Sequence, residues 1–314
     1  MRKQENRYTI AFYNLENFFD TKDDPYLLDD DFTPKGFRNW DDYKFGRKVK
    51  KIAKAISTIG LEDSDIPPIL IGMAEVENKG VVQTLLQSKK FKDIDYDVIH
   101  FDSPDERGID TALVFDKNHF EVLEAETIPL IVQNTNGDRD YTRDILYVRG
   151  NLHQEEIHVF VNHWPSRRVG PEKTDYKRIK AAETIIKKIE TIEGDFPNII
   201  IMGDFNDDPN SQSIQTLMQT GNFINPMKKL LSPKSGSANY KGKWSLFDQI
   251  LLSHSFLNFE SKTHSFVKAQ IFAPKFLKEW KGKYKGNPFR TFGGKNYLGG
   301  YSDHFPVYIV LEEH

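Results

Sequence analysis

The chain contains no cysteine. That absence excludes disulfides, zinc–thiolate sites and cysteine nucleophiles, and it leaves the redox compartment undetermined. The chain also lacks any apolar run near the roughly 18 residues that a membrane-spanning helix needs, so membrane insertion is not expected. Residues 1–7 are polar and have no apolar h-region, and no signal peptide is read there. As given, the sequence points to the cytoplasm, or to a secreted or periplasmic protein if a leader has been removed. No stretch rich in Pro, Gly or Ser divides the chain, and it has no short-period repeat. A large charge imbalance is missing as well: 43 Lys and Arg against 46 Asp and Glu give a net charge of −3. Such a balance neither advertises nor excludes a polyanionic partner, which responds to local charge.

What is present is material for a large core, since 38% of the 314 residues are hydrophobic and 13% aromatic. The length fits one large domain or two ordinary ones, and without a linker a single domain over 1–314 is expected. Residues 7–13 predict a first strand, followed by an acidic loop that reads as solvated surface. Apolar residues recur at threes and fours over 42–59, which marks one face of a helix. Strands are predicted at 69–74, 96–101 and 110–115, with a short helix at 81–88 and a hairpin at 145–152 and 157–162. A second amphipathic helix covers about 173–192. Further strands follow at 198–202, 246–252, 266–272 and 305–311, with a short helix near 214–219. This order suits an α/β domain with two packed sheets and helices outside.

The polar residues of most interest sit at the ends of these strands. The run 198–202 stops at Gly203 and delivers Asp204, Phe205 and Asn206. A carboxylate and a carboxamide at the mouth of a sheet offer hard oxygen donors of the kind Mg²⁺ accepts, although the same pair would also serve as turn caps. Asn14, Glu75, His163 and the Asp303-His304 pair are placed the same way. Asp248 falls within the predicted strand 246–252, where a buried acid needs a partner. His304 is the natural one, because a carboxylate orients an imidazole and raises its basicity. Phosphodiester hydrolysis needs a positioned water, a sink for charge on the phosphoryl oxygens and help for the leaving oxygen, and this set of groups can supply them.

Tyr13-Asn14, Glu75 in Gly-Met-Ala-Glu-Val-Glu-Asn, His163, Gly203-Asp204-Phe205-Asn206, Asp248 and Ser302-Asp303-His304 together resemble the endonuclease/exonuclease/phosphatase superfamily, which includes DNase I-like nucleases, sphingomyelinases and inositol-phosphate phosphatases. The match runs in order over nearly the whole chain. It implies a four-layer α/β sandwich, two facing mixed β-sheets flanked by helices, with the site at one end of the sheets. It implies that Glu75 and Asn14, with Asp303 nearby, hold a divalent metal, Mg²⁺ with Mn²⁺ as a substitute. Asn17 is able to share the part of Asn14. Asp204 would orient or deprotonate the attacking water and Asn206 would bind a phosphate oxygen. His304, held by Asp248, and His163 would stabilise charge on the phosphate. The resemblance does not choose between Asp204 and His304 as the base. Arg143 falls where DNase I-like members keep a phosphate-binding arginine, and Arg167 follows His163 as a further substrate contact. His163 stands where apurinic-site enzymes carry Tyr, which disfavours that subclass.

One stretch points to the substrate. Residues 275–295 carry seven Lys and Arg, among them Lys278 and Lys281, against the single acid Glu279. Phe276, Trp280, Tyr284, Phe289 and Phe292 are interleaved, and the stretch leads into Asp303-His304. Basic residues that neutralise phosphates, alternating with aromatics that stack on bases, are what single-strand binders use. A metal-dependent phosphodiesterase acting on nucleic acid is therefore expected, the alternative being a phosphatase or phosphodiesterase for a small molecule or lipid head group.

Overall fold

The structure, a computed structural model, describes residues 6–168, 170–194 and 197–314; most of the polar stretch 1–7 lies outside them. In chain order the principal strands are β1 (Arg7–Phe18), β2 (Leu70–Val76), β3 (Tyr96–His100), β4 (Asp110–Asp116), β5 (Phe120–Ile128), β6 (Ile145–Leu152), β7 (Glu155–His163), β8 (Ile199–Asp204), β9 (Phe223–Ile224), β10 (Asp248–Ser253), β11 (His264–Ile271) and β12 (Val307–Glu313). One six-stranded sheet has the order β11-β12-β1-β2-β4-β3, the other β9-β10-β8-β7-β6-β5. Both are mixed. Among the described residues the one parallel pair in the first sheet is β1 with β2, and in the second β7 with β8.

Alternation along the strands builds the layers. A strand turns successive side chains to opposite faces, and here both faces are apolar. Ile10 and Phe12 of β1 face Ile200 and Met202 of β8 in a core shared by the two sheets. Ala11 and Tyr13 turn the other way and pack on Ile52, Ala53 and Ile56 of helix α1 (Asp42–Ile56) and on Val81, Val82 and Leu85 of α2 (Lys79–Leu86). Ile199 and Ile201 likewise turn outward onto Ala181, Ala182 and Ile185 of α3 (Pro171–Ile189) and Ile214 of α4 (Gln212–Met218). The result is helix, sheet, sheet, helix, the expected four-layer sandwich. The Asp41 side chain accepts from the Lys44 N–H to start α1, and a proline in the first turn starts α3, both ordinary N-terminal devices.

Four features depart from the sequence reading. β1 does not stop at residue 13: it runs on to Phe18 through a register shift against β2 between Asn14 and Phe18. The 120–128 segment, not read as a strand, forms β5. It is an edge strand with a bulge between Val122 and Glu124, and the extra residue breaks the apolar–polar alternation that would have revealed it. Asp248 is not inside a strand but opens β10, opposite Asp204 of β8. The preceding residues pair elsewhere, with 243–245 forming a small hairpin with 238–240. The acidic loop is not all solvated surface either, because Asp29 is buried and accepts from the Asp24 N–H.

Candidate active site

The period of two that builds the core also builds the site. On the inward face of β1, Ile10 and Phe12 are followed by Asn14; on β8, Ile200 and Met202 by Asp204; on β7, Val159 and Val161 by His163. On β10, read backwards, Leu252 and Ile250 are followed by Asp248. Each strand thus carries its apolar inter-sheet side chains to one end and then places one polar group in the same row. Asn14 Nδ2 donates to Asp204 Oδ2 at 2.9 Å and joins the two sheets at this mouth. Gly203 permits the approach of β7, since a Cβ there would lie 2.5 Å from the Asn162 carbonyl oxygen.

Asp204 lies at the centre. Its Oδ1 accepts from the Asn206 N–H at 2.9 Å. Its Oδ2 is flanked by the Nε2 atoms of His163 at 3.8 Å and His304 at 3.9 Å. Both separations exceed a hydrogen bond, so each Nε2 stays free to meet a third group. Burial, partly offset by His304, pushes the Asp204 carboxyl up to about 6. His304 Nδ1 lies 2.7 Å from Asp248 Oδ2. Burial disfavours the His304 imidazolium, but the carboxylates of Asp248 and Asp204 outweigh it and hold the imidazole well above its ordinary value. His163 goes the other way: burial, then the Arg143 and Arg107 guanidiniums, hold it well below. Two imidazoles beside one carboxylate are thus set in opposite protonation states. The Asp248 pairing with His304 has a measurable consequence. Asp248→Asn is expected to lower kcat by about 10²–10³-fold with little change in KM. The double variant with His304→Ala should be scarcely worse than His304→Ala alone; fully additive losses would refute the pairing.

Beside this group the backbone is forced into uncommon conformations. Glu16, Asn17, Glu75 and Asn206 all have φ between 49° and 59°, the left-handed region that side chains rarely adopt and that tends to mark functional sites. For Glu75 the effect is a change of direction. By alternation its side chain belongs on the helix face, but positive φ and a register shift between Ala74 and Val76 re-aim it. Its Oε2 accepts from the Asn17 N–H at 2.7 Å, and among the described residues its Oε1 has no hydrogen-bond partner. Asn14 Oδ1 accepts from the Glu16 N–H. Asp303 Oδ2 pairs with Arg290 at 2.6 Å, and the Glu75 and Asp303 charges both act on Arg290 and Lys48. Glu75 and Asp303 each keep a carboxylate oxygen with no hydrogen-bond partner among the described residues, and with the Asn14 carboxamide they offer hard oxygens of the kind Mg²⁺ or Mn²⁺ accepts. Asp204, Asp248 and His304 also bring ligand-type atoms within 4.8 Å of one another, with His304 Nδ1 already engaged by Asp248 Oδ2.

Sequence reasoning missed the scaffold behind these donors. Lys48 of α1 is buried, and its ammonium donates to the Glu16 carbonyl and the Thr291 hydroxyl. Burial brings Lys48 down to about 8 and pushes Glu16 up to about 7. Glu16 in turn accepts from the Thr291 N–H and lies 3.5 Å from Arg290. The available signal was a lysine on the apolar stripe of α1, four residues before Ile52.

The expected substrate contacts divide. Arg143, expected as a phosphate contact, is held by three groups of the protein itself and also lines a cleft beside His163. It is buried, with Nε and Nη2 donating to the carbonyls of His163 and Trp164 and Nη1 paired with Asp105 at 2.8 Å. Its guanidinium therefore fixes the backbone that carries His163. Arg167 is part-exposed, 3.8 Å from Asp207 and 3.7 Å from Asp208. Lys278 sits over the Phe305 ring, next to His304, and Lys281 is exposed over Trp280. The stretch 278–288 doubles back on itself, with Glu279 and Gly286 N–H groups donating across it to Asn287 and Glu279 carbonyls. Phe276, Phe289 and Phe292 are drawn toward the core, whereas Trp280 and Tyr284 are exposed.

Two mixed sheets face to face, with Asp, Asn and His gathered at one mouth, define a phosphoester-hydrolase architecture of DNase I type. A family model described as "Endonuclease/Exonuclease/phosphatase family" matches residues 9–313, and the chain belongs to that family of phosphoester hydrolases, which is in general dependent on divalent metals. Solved structures of similar fold include a humanized D. rerio TDP2, at 14% identity over 98% of this chain and 100% of that one, TM-score 0.60. They include the mannosyl-6-phosphatase of Bacteroides thetaiotaomicron VPI-5482, at 16% identity over 97% and 99%, TM-score 0.58. The human Nocturnin catalytic domain is similar at 14% identity over 98% and 95%, TM-score 0.57. A search of curated proteins finds no match. Among the described residues no helix is long and apolar enough to cross a membrane.

Proposed function

We propose that this chain is a divalent-metal-dependent phosphodiesterase whose substrate is a nucleic acid. Asp204 takes a proton from water as the water oxygen bonds to phosphorus and the bond to the leaving oxygen breaks. The neutral His163 and the charged His304 donate from their free Nε2 positions to phosphoryl oxygens on either side of Asp204. Asn206 Nδ2 donates to the Trp164 carbonyl at 2.9 Å, which aims its second N–H at a phosphate oxygen. A divalent ion held by Glu75, Asn14 and Asp303 would supply Lewis-acid neutralisation of the phosphoryl charge.

The observation that carries the nucleic-acid reading is the basic arm rooted beside His304. Trp280 stands exposed on it between Lys278 and Lys281, and Tyr284 between Lys283 and Lys285. At its base lies a cleft of about 400 Å³ whose lining includes Lys234, Lys278, Lys285, Trp244 and Phe305 and no acidic residue. Lysines beside a reacting phosphate neutralise neighbouring phosphates, and exposed rings stack on unpaired bases. Small phosphoesters have no use for contacts that extend so far from the reacting atom. The test is to replace Lys278, Lys281 and Lys283 by Ser and follow cleavage of single-stranded polymer and of bis-p-nitrophenyl phosphate across salt. Each lost phosphate contact should flatten the log–log salt slope for the polymer by about 0.7, with the small diester unaffected. Equal losses on both substrates, or an unchanged slope, would favour a small phosphoester instead.

A further inference from the structure

The strands that end in the catalytic mouth begin, at the other pole of the sandwich, in a second cluster that phosphoester chemistry does not use. The six residue steps from Tyr8 to Asn14 on β1 separate the two poles by about 20 Å. His153 lies in the two-residue turn between β6 and β7, His264 opens β11, and Glu313 closes β12. We propose that His153 Nδ1, His264 Nε2 and Glu313 Oε2 form a binding site for Zn²⁺, distinct from the catalytic mouth.

Geometry is the first support. His153 Nδ1 lies 3.2 Å from His264 Nε2 and 3.3 Å from Glu313 Oε2, and all three ligand atoms fall within 4.8 Å of one another. Zinc held at 2.0–2.1 Å in a tetrahedron sets neighbouring ligands about 3.3–3.4 Å apart. Two of the three edges are already at that length. Orientation is the second support. His264 Nδ1 faces Glu155 Oε2 at 2.7 Å, and the same oxygen accepts from the His264 backbone N–H at 2.8 Å. The carboxylate takes the Nδ1 proton and leaves the Nε2 lone pair pointing into the cluster, the carboxylate–histidine arrangement that supports metal ligands. His153 Nε2 is 2.9 Å from His119 Nδ1, so when Nδ1 binds metal its remaining N–H has an acceptor. Burial keeps His153 below its ordinary value, in the neutral form that can ligate.

The residue types and the backbone agree. Two imidazoles and one carboxylate suit zinc and not magnesium or calcium, which take oxygens. His153 adopts φ 54°, in a turn position where Asn or Gly costs less; its side chain gives a reason for histidine there. His153 and Glu313 are each partly exposed, 19% and 32% of the side chain, which leaves a path for the ion and a place for a water as fourth ligand. His153 belongs to the second sheet and His264 and Glu313 to the first, so a bound ion would tie the sheets together in a chain that has no disulfide to do so.

The test uses the whole protein, stripped with a chelator and then held in excess Mg²⁺, which occupies hard-oxygen sites and competes poorly for imidazole. Titration with Co²⁺ should give one equivalent of tight binding with the visible absorption of a four-coordinate nitrogen–oxygen site, and Zn²⁺ should bleach it. Zn²⁺ at about a hundredfold excess over Kd should raise Tm by about 5 °C. His153→Asn, which keeps a residue tolerant of positive φ, and the isosteric Glu313→Gln should each lose both signals while retaining the circular dichroism of the parent. A wild-type titration with no visible band and no Tm rise would overturn the proposal without recourse to either variant. So would a band that survives in both variants.

Discussion

Replacing Asp204 by Asn is expected to reduce kcat by about 10³–10⁴-fold, the upper range for a positioned proton acceptor, or about 4–5 kcal/mol of transition-state free energy. The substitution keeps shape and lets the side chain still meet the Asn206 N–H, so KM should change little. The bond that Asn14 Nδ2 gives to Oδ2 is lost, and stability should fall by about 1–3 kcal/mol. It removes the only carboxylate that both flanking imidazoles approach. The same residue sets the acid side of the pH profile. Its carboxyl is pushed up to about 6, the base form predominates above that value, and kcat/KM should fall tenfold per unit as pH drops below it. His304, held well above its ordinary value by Asp248 and Asp204, stays protonated through neutrality, so its loss belongs to the alkaline side. Steady-state kinetics from pH 4.5 to 9 on wild type and Asp204→Asn would check this. A variant within tenfold of wild type, or an acid limb unchanged in the residual activity, would move the base role away from Asp204.

Removing the proposed metal donor at Glu75 should be about as severe. Glu75→Gln deletes a charge from a set of only three oxygen donors, and the Lewis-acid contribution such an ion makes is several kcal/mol, so a loss of about 10³-fold in kcat/KM is expected. EDTA should abolish wild-type turnover, and added Mg²⁺ or Mn²⁺ should restore it. The variant should need far more metal for what activity it keeps. Near-normal rates of Glu75→Gln in chelator would exclude the metal mechanism. Because Glu75 is held in the left-handed region at φ 59°, Glu75→Gly serves as a conformational control: it relieves the strain but supplies no donor, and should be as inactive as Glu75→Gln.

Much of the sandwich was legible because each central strand is apolar on both faces, so that Ile69-Leu70-Ile71 and Ile199-Ile200-Ile201 stand out as short uninterrupted runs. The candidate site was legible for a related reason. Asn14, His163 and Asp204 each end such a run on the inward row, and a polar residue there is conspicuous. What the sequence hid depends on contacts that no local pattern encodes. Lys48, Glu16, Thr291 and Arg290 come together from positions up to 275 residues apart. Nothing near Arg143 in sequence announces Asp105 or the two carbonyls that it engages. β5 went unread because its bulge scrambles the alternation and its Glu, Leu and Ala residues favour helix. His119, His153 and His264 each fall singly beside turns or strand ends, and only the closing of the two sheets stacks them.

The order of strands in the first sheet has a consequence for biosynthesis. β1 lies between β2 and β12, and its pairing with β12 joins Arg7 to Glu312, 305 positions along. On the ribosome, one edge of β1 is therefore open from its own emergence until β12 emerges. Contacts of such long separation form late and slowly, and open edges invite wrong pairing meanwhile. Asn14 sits on that waiting strand, and His304 arrives only just ahead of β12. A nascent chain stalled before residue 300 would thus hold most of the hydrophobic core but no working mouth, and hydrolytic competence would appear in one step once β12 has emerged.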